Sequence, residues 1–208
     1  MHFNYICIEG NIGIGKTTLV KKLADHFNAN ALYEEFDENP WLPLFYQNPE
    51  ETALALELSF LTDRSKQLVK INKIKSSQTL FSDYCIDKCL LFTEINLSQK
   101  DFEQYKKLHS MASETVEAPS LVVVIHSNTD NLLANIKQRN RDYEQNMQTS
   151  YLEKLNQSYK HFFQKEKPYP VLNIFTENLR EENYDRIFNE IVSFLQHKPS
   201  FKITSLTI

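Results

Sequence analysis

Glycine is scarce in this chain: Gly10, Gly13 and Gly15 are the only three in 208 residues. No glycine-rich linker, low-complexity segment or internal repeat is present. Cysteine is equally sparse. Cys7, Cys85 and Cys89 are an odd number, and Cys85 and Cys89 stand four apart rather than as C-x-x-C, with no histidine pair at zinc spacing beside them. That excludes a disulfide framework and a zinc ribbon, and leaves free thiols of a reducing cytoplasm. No stretch approaches the ~18 apolar residues of a membrane span, and MHFNYICIEG has no basic segment followed by a long apolar run. A cytoplasmic protein with no membrane partner is expected. Positive charge is in deficit too, since 23 Lys and Arg against 27 Asp and Glu give a net charge of -4. Without a general cationic surface, polymeric nucleic acid is not an expected partner, and any phosphate must be met locally.

What remains is ordinary for a globular chain, with 41% hydrophobic and 24% charged residues. Its length suits one domain, since single domains reach roughly 250 residues. Short apolar runs alternate with longer segments of helical period, which predicts a parallel sheet flanked by helices. Strands are expected at Phe3–Glu9, Ala31–Glu34, Thr79–Ser82, Leu121–His126 and Val171–Phe175. The apolar run LVVVI has the character of a strand buried on both faces. Helices are expected to start at Lys16, near Pro49, at Asp83, near Ser98, at Asp130, near Thr149 and near Arg180. Thr129 and Asp130, then Thr149 and Ser150, offer capping side chains. Between Glu50 and Lys75, Leu54, Leu58, Leu61, Leu68 and Ile71 recur at helical steps, so one long helix should cross the sheet face. The last residues, PSFKITSLTI, are apolar enough to dock, without an assigned place.

All three glycines fall in one motif. Gly10-Asn11-Ile12-Gly13-Ile14-Gly15-Lys16-Thr17, followed by Thr18, satisfies G-x-x-x-x-G-K-[ST] between a predicted strand and a predicted helix. Glycine lets successive backbone N–H groups turn inward around phosphate oxygens, and the helix N-terminus adds the positive end of its dipole. Lys16 is placed to neutralise β/γ oxygens and Thr17 to hold Mg²⁺. This is a nucleoside triphosphate grip, and the motif does not say what receives the phosphoryl group.

Downstream, LYEEFDENPW puts Glu34 or Glu35 at a strand end, facing the edge of the sheet where the loop holds its phosphates. A carboxylate there repels the donor unless it serves an acceptor hydroxyl as a base or a metal indirectly.

The sequence resembles the deoxyribonucleoside kinase family, most closely its bacterial deoxyguanosine and deoxyadenosine kinase branch, over nearly the whole chain. The stretches that carry the resemblance are IEGNIGIGKTT, EEFDENPWLPLFYQNPE, ELSFLTDRSKQL, and QRNRDYEQ followed by TSYLEKLNQSY. It implies a three-layer P-loop kinase fold on a five-stranded parallel sheet, with a lid at about 138–148. It also implies ATP and Mg²⁺ as cofactors, a small-molecule deoxynucleoside as acceptor, and a homodimer. Glu34 matches the family's base for the sugar 5′-hydroxyl, with Glu35 as the alternative register. Tyr46 matches a tyrosine near the 3′-hydroxyl, and Glu144 a glutamate facing the same group.

Glu57 and Arg64 keep the family's spacing, but many relatives have Gln where Glu57 stands. A carboxylate accepts two hydrogen bonds from the N1–H and N2–H₂ edge of guanine, whereas adenine has one donor group there, so guanine is the first choice. Arg64 then donates to O6, or pairs with Glu57 or Asp87. Where relatives carry Glu-Arg-Ser or Asp-Arg-Ser, this chain has Ser82-Asp83-Tyr84, so the family arginine is missing. Asp83 either stands near Mg²⁺ and the 5′-oxygen or caps the next helix, and Lys88 is one source of the lost charge. Arg139 and Arg141, in the lid sequence, are suited to clamp the phosphoryl oxygens. His126 reads as a strand-end residue. The readings that compete are a thymidylate-type nucleoside monophosphate kinase and a non-catalytic nucleotide switch.

Overall fold

The computed structural model describes residues 3–36, 38–73, 78–144, 147–197 and 203–208. Its strands are β1 (Tyr5–Gly10), β2 (Asn30–Leu32), β3 (Leu80–Ser82), β4 (Leu121–His126), β5 (Val171–Phe175) and β6 (Ile203–Thr207). They form one sheet in the order β2-β3-β1-β4-β5-β6, and every pairing is parallel. All positions of β1 and β4 are buried, as expected of central strands covered by helices on both faces.

The helices are α1 (Lys16–Phe27), α2 (Trp41–Gln47), α3 (Pro49–Lys73), α4 (Lys88–Asn96), α5 (Gln99–Ser113), α6 (Thr129–Arg139), α7 (Thr149–Gln164) and α8 (Glu181–His197). α1 packs on the strands and on α8, while α4 contacts α3, α5 and α7, α3 contacts α5, and α7 reaches β4. Leu19 and Leu23 of α1 are fully buried, each contributing ~2 kcal/mol of apolar transfer. Among the described residues, no helix is long and apolar enough to cross a membrane.

Four expectations need correction. The sheet has six strands rather than five, because the end of PSFKITSLTI forms β6 beside β5. β2 ends at Leu32, so Glu34 lies two residues beyond the strand. The helix expected at Asp83 begins at Lys88, and Asp83 sits in a bend before it. α2 went unforeseen; Pro43 falls in its first turn, where the missing N–H would have had no helical partner. Caps also differ. α5 starts beside Ser98 as expected, with Ser98 as its cap, but Asn128 rather than Thr129 caps α6, its Oδ1 accepting from Asn131 N at 2.9 Å. Gln148 precedes α7 with no side-chain cap bond. Along α3, Leu61 and Leu68 are buried but Leu54 is 43% exposed; the Ile71 side chain and residues 74–75 of the expected helix lie outside the described residues.

Candidate active site

The strand β1 ends at Gly10, and the loop to α1 takes positive φ at Gly10, Gly13 and Gly15. At Gly13, with φ +83, a Cβ would lie 2.6 Å from the Leu132 carbonyl of α6. Neighbouring elements brace this loop from several sides. Asn135 Nδ2 donates to Gly13 O at 2.8 Å, and the Tyr184 hydroxyl donates to Gly15 O at 2.5 Å. The Asn11 side chain is buried and turned towards α7, where Nδ2 donates to Leu152 O and Asn156 Oδ1. Ile14 is buried in the core, so Asn11 and Ile14 offer phosphate only their backbone. Replacing Gly13 by Ala is expected to destabilise the protein by about 1–3 kcal/mol through positive φ and the backbone clash. It should weaken nucleotide binding as well, both read by thermal melts with and without ATP.

Lys16 Nζ donates to Gly10 O at 2.8 Å and Asn11 O at 3.1 Å, so the ammonium group lies against the loop it serves. Burial, assisted by the nearby Lys88, lowers its pKa to about 8. Thr17 Oγ1 donates to Asp83 Oδ2 at 2.6 Å, and Asp83 Oδ1 accepts from Glu34 N at 2.8 Å. One carboxylate therefore links the loop to the acidic segment. Asp83 is no helix cap here.

Glu34 turns inward while Glu35 is exposed, which favours the first register. Its Oε1 accepts from Arg64 Nε at 2.8 Å and from Arg64 Nη2, and its Oε2 accepts from Lys88 Nζ at 2.5 Å. Burial pushes this carboxyl up, but Arg64 and Lys88 outweigh it and hold the pKa at about 2. Arg64 thus pairs with neither Glu57 nor Asp87. Its Nη1 lies 2.9 Å from Cys89 Sγ, and Asp87 instead accepts from the Tyr169 hydroxyl at 2.5 Å. Lys88, in a chain lacking the family arginine, delivers its charge to Glu34.

These groups share one cavity of about 690 Å³, which runs from Gly15, Lys16 and Thr17 past Glu34 to an apolar end at Phe45, Phe60 and Tyr151. Glu57 stands at that end, 1% exposed. Its Oε1 accepts from Asn96 Nδ2 at 2.7 Å, and Oε2 is buried without a hydrogen-bond partner. Burial raises its pKa to about 7, against the opposing pull of the Asn96 bond.

A donor grip, an acidic cluster and an apolar pocket in one cavity suit phosphoryl transfer to a small hydroxyl acceptor. Residues 6–196 match the deoxynucleoside kinase family. The chain belongs to that family. It is similar to deoxyguanosine kinase of Bacillus subtilis (strain 168), with 37% identity over 157 residues covering 74% of this chain and 76% of that one. It is also similar to deoxyguanosine kinase of Lactobacillus johnsonii, with 30% identity over 215 residues covering 95% of each. In fold it resembles deoxyadenosine kinase of M. mycoides with products dCMP and a flexible dCDP bound, at TM-score 0.79 and 23% identity, covering 92% of this chain and 98% of that chain.

In this deoxynucleoside kinase the lid sequence also reaches the cavity. Glu144, 5% exposed at the end of a short 3₁₀ turn (Asp142–Glu144), accepts from Arg139 Nη2 at 2.6 Å, and Arg141 Nη1 lies 3.7 Å away. The Arg141 guanidinium also stacks over Phe36 at 4.2 Å. Tyr46, at the end of α2, stacks on Tyr143 with ring centroids 5.8 Å apart. Residues 145–146 of the expected lid lie outside the described residues. His126 ends β4, where its ring bonds Asn173 at 2.8 Å.

Several site residues were not foreseen. Phe60 follows Glu57 by three on α3 and so shares its face, a signal the sequence did carry. Asn96, Phe45 and Tyr151 had none. Glu9, which does not line the cavity, is a fully buried carboxylate on β1 that accepts from Cys85 N at 2.9 Å and from the Tyr159 hydroxyl at 3.3 Å.

Proposed function

We propose that this kinase transfers the γ-phosphoryl group of ATP to the 5′-hydroxyl of a purine deoxyribonucleoside, deoxyguanosine first and deoxyadenosine second, in nucleotide salvage. The observation that carries the reading is the single cavity in which Glu34 stands between the phosphate loop and the base-sized apolar pocket. A carboxylate in that position meets a hydroxyl rather than a second phosphate.

In this reading the backbone of residues 10–18 and Lys16 hold the donor phosphates. Thr17 Oγ and the Asp83 carboxylate, already in contact, form the oxygen set that a hard divalent cation takes, and would hold Mg²⁺. When bound, that ion neutralises charge on the donor phosphates. Glu34 orients the 5′-hydroxyl and takes its proton, Tyr46 and Glu144 meet the 3′-hydroxyl, and Glu57 meets the base. Arg64 positions Glu34. Arg139 and Arg141, on a lid at about 138–148, stabilise the charge that spreads over the transferred group. The single-domain kinase acts in the cytoplasm as a homodimer, which the family resemblance supports.

A coupled ADP-release assay with deoxyguanosine, deoxyadenosine, deoxycytidine, thymidine and dGMP tests the reading. We expect turnover to rank deoxyguanosine above deoxyadenosine and both well above the rest. No turnover with any nucleoside overturns it, and efficient use of dGMP favours a monophosphate kinase. A preference for a pyrimidine removes Glu57 as the reader of guanine.

A further inference from the structure

Glu57 is an unusual group with which to line a base pocket. Its carboxyl is almost without solvent, beside Phe45, Phe60 and Tyr151, and an ionised carboxylate in such a place requires compensation. The structure supplies one neutral donor, Asn96 Nδ2 on α4, to Oε1 and nothing to Oε2. The nearest cations are committed elsewhere. Arg64, two turns on along α3, bonds Glu34 and Cys89, and Lys88 of α4 bonds Glu34. From α5, the Tyr105 hydroxyl donates to the Glu57 backbone carbonyl at 3.1 Å and not to the carboxyl. Glu34, reached from the segment after β2, opposes a charge on Glu57, whereas Arg64 and Lys88 favour it; the Tyr151 phenol of α7 is held neutral by burial.

A carboxyl group so placed has two chemistries. Ionised, it offers two acceptors, which match the adjacent N1–H and N2–H₂ donors of guanine. Protonated on the open oxygen, it offers one donor and one acceptor, which match N1 and N6–H₂ of adenine. Oε1 keeps a second lone pair for the base in both cases while it holds Asn96.

We propose that Glu57 is a titrating reader of the purine edge: its carboxylate selects guanine, its acid form accepts adenine, and Asn96 sets the balance between them. The inference rests on the purine deoxynucleoside reading above. Protonation occurs near neutrality, since burial raises the group to about 7, so both forms are populated under physiological conditions. Asn96, by donating to the carboxyl, favours the ionised form and acts as a positioning residue.

The test is kcat/KM for deoxyguanosine and for deoxyadenosine across about pH 6 to about pH 8.5. If each form bound only one purine, the deoxyguanosine-to-deoxyadenosine ratio would rise about 100-fold between about pH 6 and about pH 8, tenfold from each substrate. We expect a rise of at least about tenfold, carried mainly in KM. Groups that act on both substrates, including the titration of Lys16, cancel in the ratio. Glu57→Gln replaces the titrating group by an amide, and should give a ratio independent of pH. Asn96→Leu removes the donor that favours the carboxylate, and should move the midpoint to higher pH. A wild-type ratio constant within about threefold, with both purines turned over, overturns the inference and leaves the purine kinase reading intact. A dependence that persists unchanged in Glu57→Gln also overturns it. Turnover of neither purine at any pH overturns the parent reading and this inference with it.

Discussion

Glu34→Gln is expected to lower kcat by about 10²- to 10⁴-fold while KM for the nucleoside changes little. The amide keeps an oxygen for the 5′-hydroxyl and roughly the volume of the carboxyl, so binding survives and proton acceptance does not. Loss of activity would fall short of complete, because phosphoryl transfer depends chiefly on positioning and charge stabilisation, roles we propose for the loop, Lys16, Arg139 and Arg141. The carboxyl, held at about 2 by Arg64 and Lys88, is a weak base in the free enzyme. Such a base takes the proton late, once the new P–O bond has made the hydroxyl acidic. Because this group is ionised throughout the working range, it contributes no acid limb to the rate profile above about pH 4. Exposed Glu35 is the paired control: Glu35→Gln should stay within about threefold of the parent, and equal losses from the two variants would refute the assignment.

Arg64→Leu is expected to cost about 3–5 kcal/mol of stability, a fall in Tm of about 6–20 °C for a domain of this size. Arg64 is 4% exposed, and its guanidinium bonds Glu34, touches Cys89 and lies over the Phe60 ring at 4.6 Å. Leucine removes all three contacts and leaves Glu34 buried with Lys88 as its remaining cation. The sign with pH follows from Glu34, whose folded pKa is depressed. The stability it contributes is present above the unfolded carboxyl value of about 4.3 and is lost as pH falls towards about 2. The penalty of Arg64→Leu should therefore be largest at neutral pH and shrink through that acid window. Melting curves at several pH values measure this, and a Tm within about 2 °C of the parent at neutral pH would refute it. Combined with Glu34→Gln, the loss should be smaller than the sum of the single losses, since the two residues share one interaction.

The sequence made the proposed donor side of the site plain, because a phosphate-loop motif is local: its glycines, lysine and threonine lie within one short stretch, and the structure sets that stretch between β1 and α1. The fold class was equally legible from alternation. Glu34 needed the family resemblance to be singled out from its acidic neighbours, since only the path of the chain after β2 decides which of them turns inward. The acceptor side was less visible. Periodicity shows which positions of α3 face inward, yet it cannot show that Asn96, 39 residues after Glu57, will meet it, or that Arg64 will choose Glu34 over Glu57 and Asp87. Polar pairing is decided by the approach of elements distant in sequence. The sixth strand was hidden for a related reason: an edge strand with one paired neighbour carries a weak pattern, and β6 alternates only partly between covered and exposed positions.

Cys7, Cys85 and Cys89 are all free and all buried, and Cys89 shares the guanidinium that steadies the proposed base. Thiol reagents consequently report on opening rather than on surface: in the folded kinase they have nothing to attack, and each modified sulfur counts a molecule that has let water into the sheet. Because one of these sulfurs lies against Arg64, the chain carries its own clock for how long the acceptor side stays assembled.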